Sequence, residues 1–262
     1  MIANVLTIAG TDPSGGAGLQ ADLKTFSALG VYGMSAITAI VAQNTQGVRS
    51  FKTLDPAFVA DQIDAVFDDV NVHAVKIGML ANVELTNIVA DRLAHWKPPV
   101  IVLDPVMAAK SGDPLLSPDT IAAIRDRLVP MADIITPNLP EAGLLLGRPA
   151  PTSLEAMYSI LDDLLALGSD WVLLKGGHLK TATSPDLLQG QNYRQELPAP
   201  RIQTTHLHGT GCTIAAAIAA LATRMNMIEA VKQAKAYLHA SLEAAHQLDV
   251  GKGRGPVHHH LE

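Results

Sequence analysis

Apolar runs of four to eight residues alternate along this chain with longer stretches whose apolar positions recur every three or four residues. The short runs are 5–9 (VLTIA), 35–42 (SAITAIVA), 72–78 (VHAVKIG), 100–104 (VIVLD), 132–136 (ADIIT) and 171–175 (WVLLK). They are nearly continuous in hydrophobicity, which predicts strands buried on both faces. The longer stretches predict helices. PAFVADQIDAVF (56–67) carries Pro56 near its first turn, and SPDTIAAIRDRL (117–128) offers Ser117 as an N-cap followed by Pro118. SLEAMYSILDDLLALG (153–168) opens on a serine cap and stops at Gly168. Strand–helix alternation of this kind predicts an α/β fold, a mostly parallel sheet with helices on both faces.

The segments that leave the predicted strands are more informative than the strands themselves. After Ala9 comes GTDPSGGAG, after Ala42 Gln43-Asn44, and after Ile77 Gly78-Met79. Asp104 is followed by PVMAAKSGD, Thr136 by PNLPE and Lys175 by Gly-Gly-His. Open parallel sheets bind ligands outside the carboxyl ends of their strands. Polar and glycine-rich segments gathered there predict a ligand site.

Composition narrows the partners. The 262 residues are 48% hydrophobic but only 4% aromatic, so Ala, Leu, Ile and Val fill the core. A net charge of −6 without a basic run gives no footprint for a nucleic-acid backbone. The longest apolar run, 214–222, is far short of the ~20 residues of a membrane span. The first residues carry no positive charge and run into a Gly/Pro turn, unlike a signal peptide. A single cysteine forms no internal disulfide, which points to the cytoplasm. The tail GPVHHHLE has few histidines for an expression-tag remnant.

Two glycine clusters compete as phosphate loops. GTDPSGGAGLQA contains Gly16-x-Gly18-x-x-Ala21, but the acidic residue that a dinucleotide site needs after the second strand is missing, Gln43-Asn44-Thr45 standing there instead. The Lys-Ser/Thr of a Walker loop is missing as well. The segment is either a tight turn for close helix packing or a backbone approach to a small ligand. Gly209-Thr210-Gly211 stands directly before a helix predicted to begin around Cys212. Free N–H groups and the macrodipole favour an anion there. The same field favours a thiolate, so Cys212 is expected to titrate below the ~8.5 of a free thiol. The alternative is a small buried residue beside alanines.

Asp104 and Glu141, at adjacent strand ends, suit Mg²⁺ held by one or two carboxylates plus phosphate and water, or else serve as caps. Lys175 suits charge neutralisation of a transferring phosphoryl group. His206 and His208 alternate with Leu207 and are placed on one strand face, and His178 is read as a loop residue.

Taken in order, TIAGTDPSGGAGLQADLKTFSALGVYG, VAQNTQGV, KIGML, VLDPVM, KSGDPLL, ITPNLPEA, LLKGGH, HGTGCT and GKGRGPVHH resemble the hydroxymethylpyrimidine/phosphomethylpyrimidine kinases of thiamine biosynthesis, from residue 4 to about 260. The resemblance implies a ribokinase-like three-layer α/β/α sandwich, one kinase domain over 1–262, and ATP and Mg²⁺ as cosubstrates. It implies two successive phosphoryl transfers, to the hydroxymethyl group of 4-amino-5-hydroxymethyl-2-methylpyrimidine and then to the monophosphate. It further implies a homodimer. Carried over by position, Gly209, Thr210 and Gly211 resemble the family's anion hole, and Cys212 its catalytic base. Ala17 (by backbone), Gln43, Met79 and Val106 match the pyrimidine pocket, with Asp22 near it. Asp104, Asn138 and Glu141 match the Mg²⁺-phosphate positions, Lys175 matches the phosphate-contacting lysine, and MAAKSGDP resembles a segment expected to order over substrate. The family commonly reads Asn-Thr before His-Gly-Thr-Gly. Here His206-Leu207 stands instead, so nucleotide contacts at 204–207 are expected to differ. A pyridoxal kinase, or a non-catalytic pyrimidine binder on the same fold, are the competing readings.

Overall fold

The computed structural model describes residues 1–107 and 116–261, so most of the segments MAAKSGDP and KSGDPLL lies outside the described residues. Among the described residues the main sheet holds eight strands: β1 (Asn4–Ala9), β2 (Tyr32–Ile37), β5 (Ala74–Ile77), β6 (Ile101–Leu103), β7 (Ile134–Ile135), β8 (Trp171–Lys175), β9 (Asp186–Gly190) and β10 (Tyr193–Leu197). A separate antiparallel pair, β3 (Ala39–Asn44) and β4 (Gly47–Thr53), stands beside it. The main order is β10-β9-β8-β7-β6-β5-β1-β2, parallel from β2 through β8 and antiparallel at β9 and β10. The chain steps one way from β1 to β2 and then returns to place β5 on the other side of β1. The crevice above β1 and β5 is therefore a topological switch point.

The helices are α1 (Gly18–Ala28), α2 (Pro56–Phe67), α3 (Val83–Trp96), α4 (Pro118–Ala123), α5 (Leu139–Leu146), α6 (Leu154–Leu165), α7 (Thr210–Ala222) and α8 (Met227–Glu243). They divide between the two faces of the sheet. Leu6, Ile8, Val75, Ile77, Ile101, Leu103 and Ile135 point into a core shared with α2 through α6. Val5, Ala74, Val102, Ile134 and Leu173, one residue out of phase, meet α1, α7 and α8. This is the expected three-layer α/β/α sandwich. The alanines of α7 let it lie close against the sheet, and residues 213–221 are all buried.

The helix at 56–67 has the expected bounds, capped by Asp55, and Ser117 and Ser153 cap α4 and α6. After Ala123 the α4 stretch widens to a π-turn at Ile124–Leu128. The expected strand 35–42 is not one strand. It breaks at Thr38, whose N–H donates to the Ala9 carbonyl while Ala39 turns its own carbonyl to the Thr11 N–H. Beyond the break the chain leaves the main sheet as β3, whose alternating exposure marks a ribbon covered on one side.

Candidate active site

Among the described residues, six of the eight α-helices begin with a side-chain cap: Asp55, Asn82, Ser117, Asn138, Ser153 and Asn226 accept from the first-turn amides of α2, α3, α4, α5, α6 and α8. The other two, α1 and α7, have none. Their amino ends meet above the carboxyl edge of the sheet. Gly209, at φ 80°, is the N-cap of α7, and a Cβ there would collide with the Gly16 carbonyl. Gly18, at φ 55°, opens α1, and a Cβ there would lie 2.5 Å from the Gly10 carbonyl oxygen. Both glycines are required by these approaches. The first intrahelical bond of α7 runs from Thr213 N–H to Gly209. The amides of Thr210, Gly211 and Cys212 precede it and have no intrahelical acceptor, as an anion site at a helix start requires.

Asp12 joins the two glycine segments. Its carboxylate accepts from the Ser14 hydroxyl at 2.7 Å and from the amides of Ser14, Gly16 and Ala17 at 2.9, 3.1 and 2.7 Å, and it lies 2.7 Å from His208 Nε2. Burial works against this charge. The His208 ring, Ser14 and the Gln43 amide outweigh it and hold the carboxyl below the usual range. Neither Asp12 nor His208 was among the expected site residues. The expected strand for His206 and His208 is absent. His208 instead pairs with Pro256 of the tail, and its ring faces Asp12. The tail belongs to the fold: Val257 and His259 are buried, and His259 Nε2 lies 3.1 Å from the Thr213 hydroxyl of α7.

At the floor of the site, Lys175 at the end of β8 donates to Asp104 Oδ1 at 3.0 Å, which the Thr136 hydroxyl also approaches at 3.3 Å. A Cβ on Gly211 would sit 3.3 Å from Lys175 Nζ and 3.6 Å from Asp104 Oδ2, so the α7 start lies directly over this pair. Glu141 and Asn138 form a reciprocal capping box at the start of α5, which occupies the Asn138 side-chain oxygen and one oxygen of Glu141. Burial pushes the Glu141 carboxyl up to about 7; Lys175 opposes the shift and Asp104 adds to it. Lys175 is held above its ordinary value: burial lowers it, but Asp104 and Glu141 prevail. Two crowded carboxylates with one lysine fit a hard divalent ion completed by phosphate and water. No cluster of three or more metal-ligating side chains exists among the described residues, so a closed protein cage does not fit.

The expected pyrimidine residues gather more loosely. Met79 stands at the switch point, its Sδ 3.6 Å from where a Gly10 Cβ would be. Gln43, half-buried on β3, lies near Asp12 and helps hold its carboxyl down. Val106 is half-buried in the turn after Asp104. The Ala17 amide is already given to Asp12. Asp22 lies deeper than expected, fully buried beneath the pocket, where it accepts from the Thr7 hydroxyl at 2.6 Å and the Lys76 ammonium at 2.9 Å.

Cys212 departs from expectation. The Gly18 amide at the start of α1 favours its thiolate, and Cys212 itself stands in the first turn of α7, yet burial pushes the thiol up to about 11. Lys76 and the Gly18 N–H pull it down, and Asp22 and Asp104 push it up. The helix-start field alone does not lower this thiol, because desolvation of the thiolate is the larger effect.

The family model described as phosphomethylpyrimidine kinase matches residues 12–258. The hydroxymethylpyrimidine/phosphomethylpyrimidine kinase of Escherichia coli strain K12 is 54% identical over 98% of this chain and 97% of its own length. The Thiamine biosynthesis bifunctional protein ThiED of Geobacter sulfurreducens is 45% identical over 98% of this chain, which spans 52% of that longer protein. Among solved structures, the ADP complex of Bacillus subtilis pyridoxal kinase superposes with a TM-score of 0.92 at 35% identity, covering 99% of this chain and 98% of that one. The chain belongs to the phosphomethylpyrimidine kinase family, and its sandwich is of the ribokinase-like kind.

Proposed function

We propose that the chain, acting as one kinase domain over residues 1–262, transfers the γ-phosphoryl group of ATP to the hydroxymethyl oxygen of 4-amino-5-hydroxymethyl-2-methylpyrimidine. It then transfers a second phosphoryl group to the monophosphate, giving the pyrophosphate for thiamine biosynthesis. The observation that carries this reading is the convergence of the uncapped α7 start, Cys212 and the Asp104–Lys175 pair at the carboxyl edge of the sheet. Phosphoryl transfer through a loose transition state needs positioning and charge stabilisation above all. The amides of Thr210, Gly211 and Cys212 hold the moving phosphoryl oxygens, and Lys175 neutralises charge that gathers on them. Asp104 and Glu141 would hold Mg²⁺, which when bound supplies further neutralisation of the phosphates. Asn138 positions Glu141 through the capping box. Gln43 offers a donor and an acceptor to the aminopyrimidine edge. Met79, Val106 and the Ala17 backbone enclose the ring, with Asp22 beneath.

In the first transfer the hydroxymethyl oxygen bonds to the γ-phosphorus as the bond to ADP breaks. The hydroxyl proton passes to Cys212, which must be a thiolate to accept it. The competing pyridoxal kinase reading draws on the TM-score of 0.92. We place the enzyme in the cytoplasm as a homodimer; exposed Ile40, Val48 and Phe51 on the β3–β4 ribbon support a contact between copies. The test is ADP release with Mg²⁺-ATP and hydroxymethylpyrimidine, with products resolved by mass. Monophosphate followed by pyrophosphate supports the reading. Turnover of pyridoxal alone, or ligand binding without ADP release, overturns it.

A further inference from the structure

Beneath the site lies a lysine that the chemistry so far leaves unused. Lys76 occupies the third position of β5, a strand buried throughout, and its side chain is fully buried. On the sheet it stands between Thr7 of β1 and Val102 of β6, facing α1 and α7. Its side chain runs toward the carboxyl edge under Gly78, where a Cβ would come within 2.9 Å of Nζ. The ammonium donates to Asp22 Oδ2 at 2.9 Å. Burial opposes its charge, but Asp22 outweighs that and keeps it protonated above the ordinary lysine value, with Cys212 and Asp104 adding to the effect. The other Asp22 oxygen is buried with no hydrogen-bond partner among the described residues. A fully buried ammonium is costly, and a structural role at this position would be served by an apolar residue at least as well.

We propose that Lys76, anchored by Asp22, is a positioning residue for Cys212, supplying from below the positive potential that the sulfur needs to become the proton-accepting thiolate. The geometry gives the cation a fixed place. Thr7 and Lys76 share one Asp22 oxygen, so the ammonium is fixed on the face of the sheet that α7 covers, within electrostatic reach of Cys212 at the start of that helix. The groups that act on the sulfur are Lys76 from β5, Lys175 from β8, Asp22 from α1 and Asp104 beyond β6, with the Gly18 amide at the start of α1. Of the two cations, Lys76 acts the more strongly in favour of the anion. This inference rests on the role of Cys212 in the reading above.

The test uses the fact that Cys212 is the only cysteine of the chain. Iodoacetamide modification, followed by mass at pH 8.5, reports its thiolate fraction without any substrate. The double variant K76M/D22N removes both charges and leaves neither buried alone. K76Q removes the charge but keeps a donor for Asp22, and K76R keeps the charge. In K76Q the modification rate is expected to fall about tenfold, as the thiolate fraction follows one unit of thiol pKa, and in K76M/D22N by less, because the Asp22 charge that opposes the thiolate goes with the lysine. Turnover should fall in parallel, with KM for the pyrimidine within about threefold of wild type. K76R should retain most of both. Should the double variant not fold, K76Q against K76R carries the test. Unchanged modification in K76Q overturns the proposal, as does slower modification with unchanged turnover. Modification that follows the charge in a protein that phosphorylates no pyrimidine leaves the potential in place and refutes the functional reading instead.

Discussion

The six side-chain-capped helices and the two uncapped ones have different jobs. Where Asp55, Asn82, Ser117, Asn138, Ser153 or Asn226 fills the first turn, the helix closes its own amides and contributes packing. Where Gly209 stands, the amides of Thr210, Gly211 and Cys212 are left for something else, and at the α1 start, where Ala17 gives its amide to Asp12 and Leu19 donates to the Gly10 carbonyl, the Gly18 amide favours the same sulfur. The chain forgoes roughly 1 kcal/mol of capping at each uncapped start. What it gains is an electropositive corner that excludes side chains and admits an anion.

The sharpest way to break this contrast is Gly209→Ala. The φ of 80° costs an alanine about 1–2 kcal/mol, and its Cβ would collide with the Gly16 carbonyl, forcing the two loops apart. Turnover should fall at least ~10³-fold, and stability should drop by about 2–4 kcal/mol in denaturant titration. Gln43→Leu is expected to raise KM for the pyrimidine by about tenfold or more while kcat changes less, since it removes a donor–acceptor pair from binding. Steady-state kinetics with both substrates checks this.

Glu141→Gln sharpens the contrast from the other side, because it should stabilise the protein while impairing it. The folded carboxyl is raised to about 7, above its unfolded value of 4.5, so the folded state favours the proton. Stability is therefore lost as pH rises from about 4.5 through 7. The amide carries no such charge and can still accept the Asn138 N–H. A gain of about 1–2 kcal/mol at pH 8 that vanishes at pH 4, together with lost Mg²⁺-ATP turnover, is the expected outcome. The smallest effect belongs to a capped start: Asn226→Ala on α8 should cost ~1 kcal/mol and leave turnover unchanged.

Much of this contrast can be read from the sequence. Continuous apolar runs gave five of six strands near their observed places, and Ser117 and Ser153 announced their helices. Gly-Thr-Gly before an alanine run announced the uncapped α7. The break at Thr38 was hidden because Ile40 is apolar yet exposed on the ribbon, so the run looked uninterrupted. The hairpin of β9 and β10 was missed because YRQEL is polar at an open edge. The thiol of Cys212 was expected to be acidic because a helix start is visible in sequence, whereas the burial that overrides it depends on tertiary packing. Lys76 did leave a signal. A lysine inside VHAVKIG, a strand expected to be buried on both faces, must itself be buried and must therefore have an anion beside it.

The central claim is that Cys212 takes the substrate's proton between two uncapped helix starts. Single-turnover transfer from Mg²⁺-ATP to hydroxymethylpyrimidine, measured from pH 7 to 9 in wild type and in Cys212→Ala, tests it most directly. With the thiol raised to about 11, the thiolate fraction grows with every step in pH across this range. The wild-type rate should climb with it, about tenfold per unit, and the alanine variant should be ~10²–10³-fold slower with a flat profile. A variant as fast as wild type, or equal slopes in both, would contradict the claim.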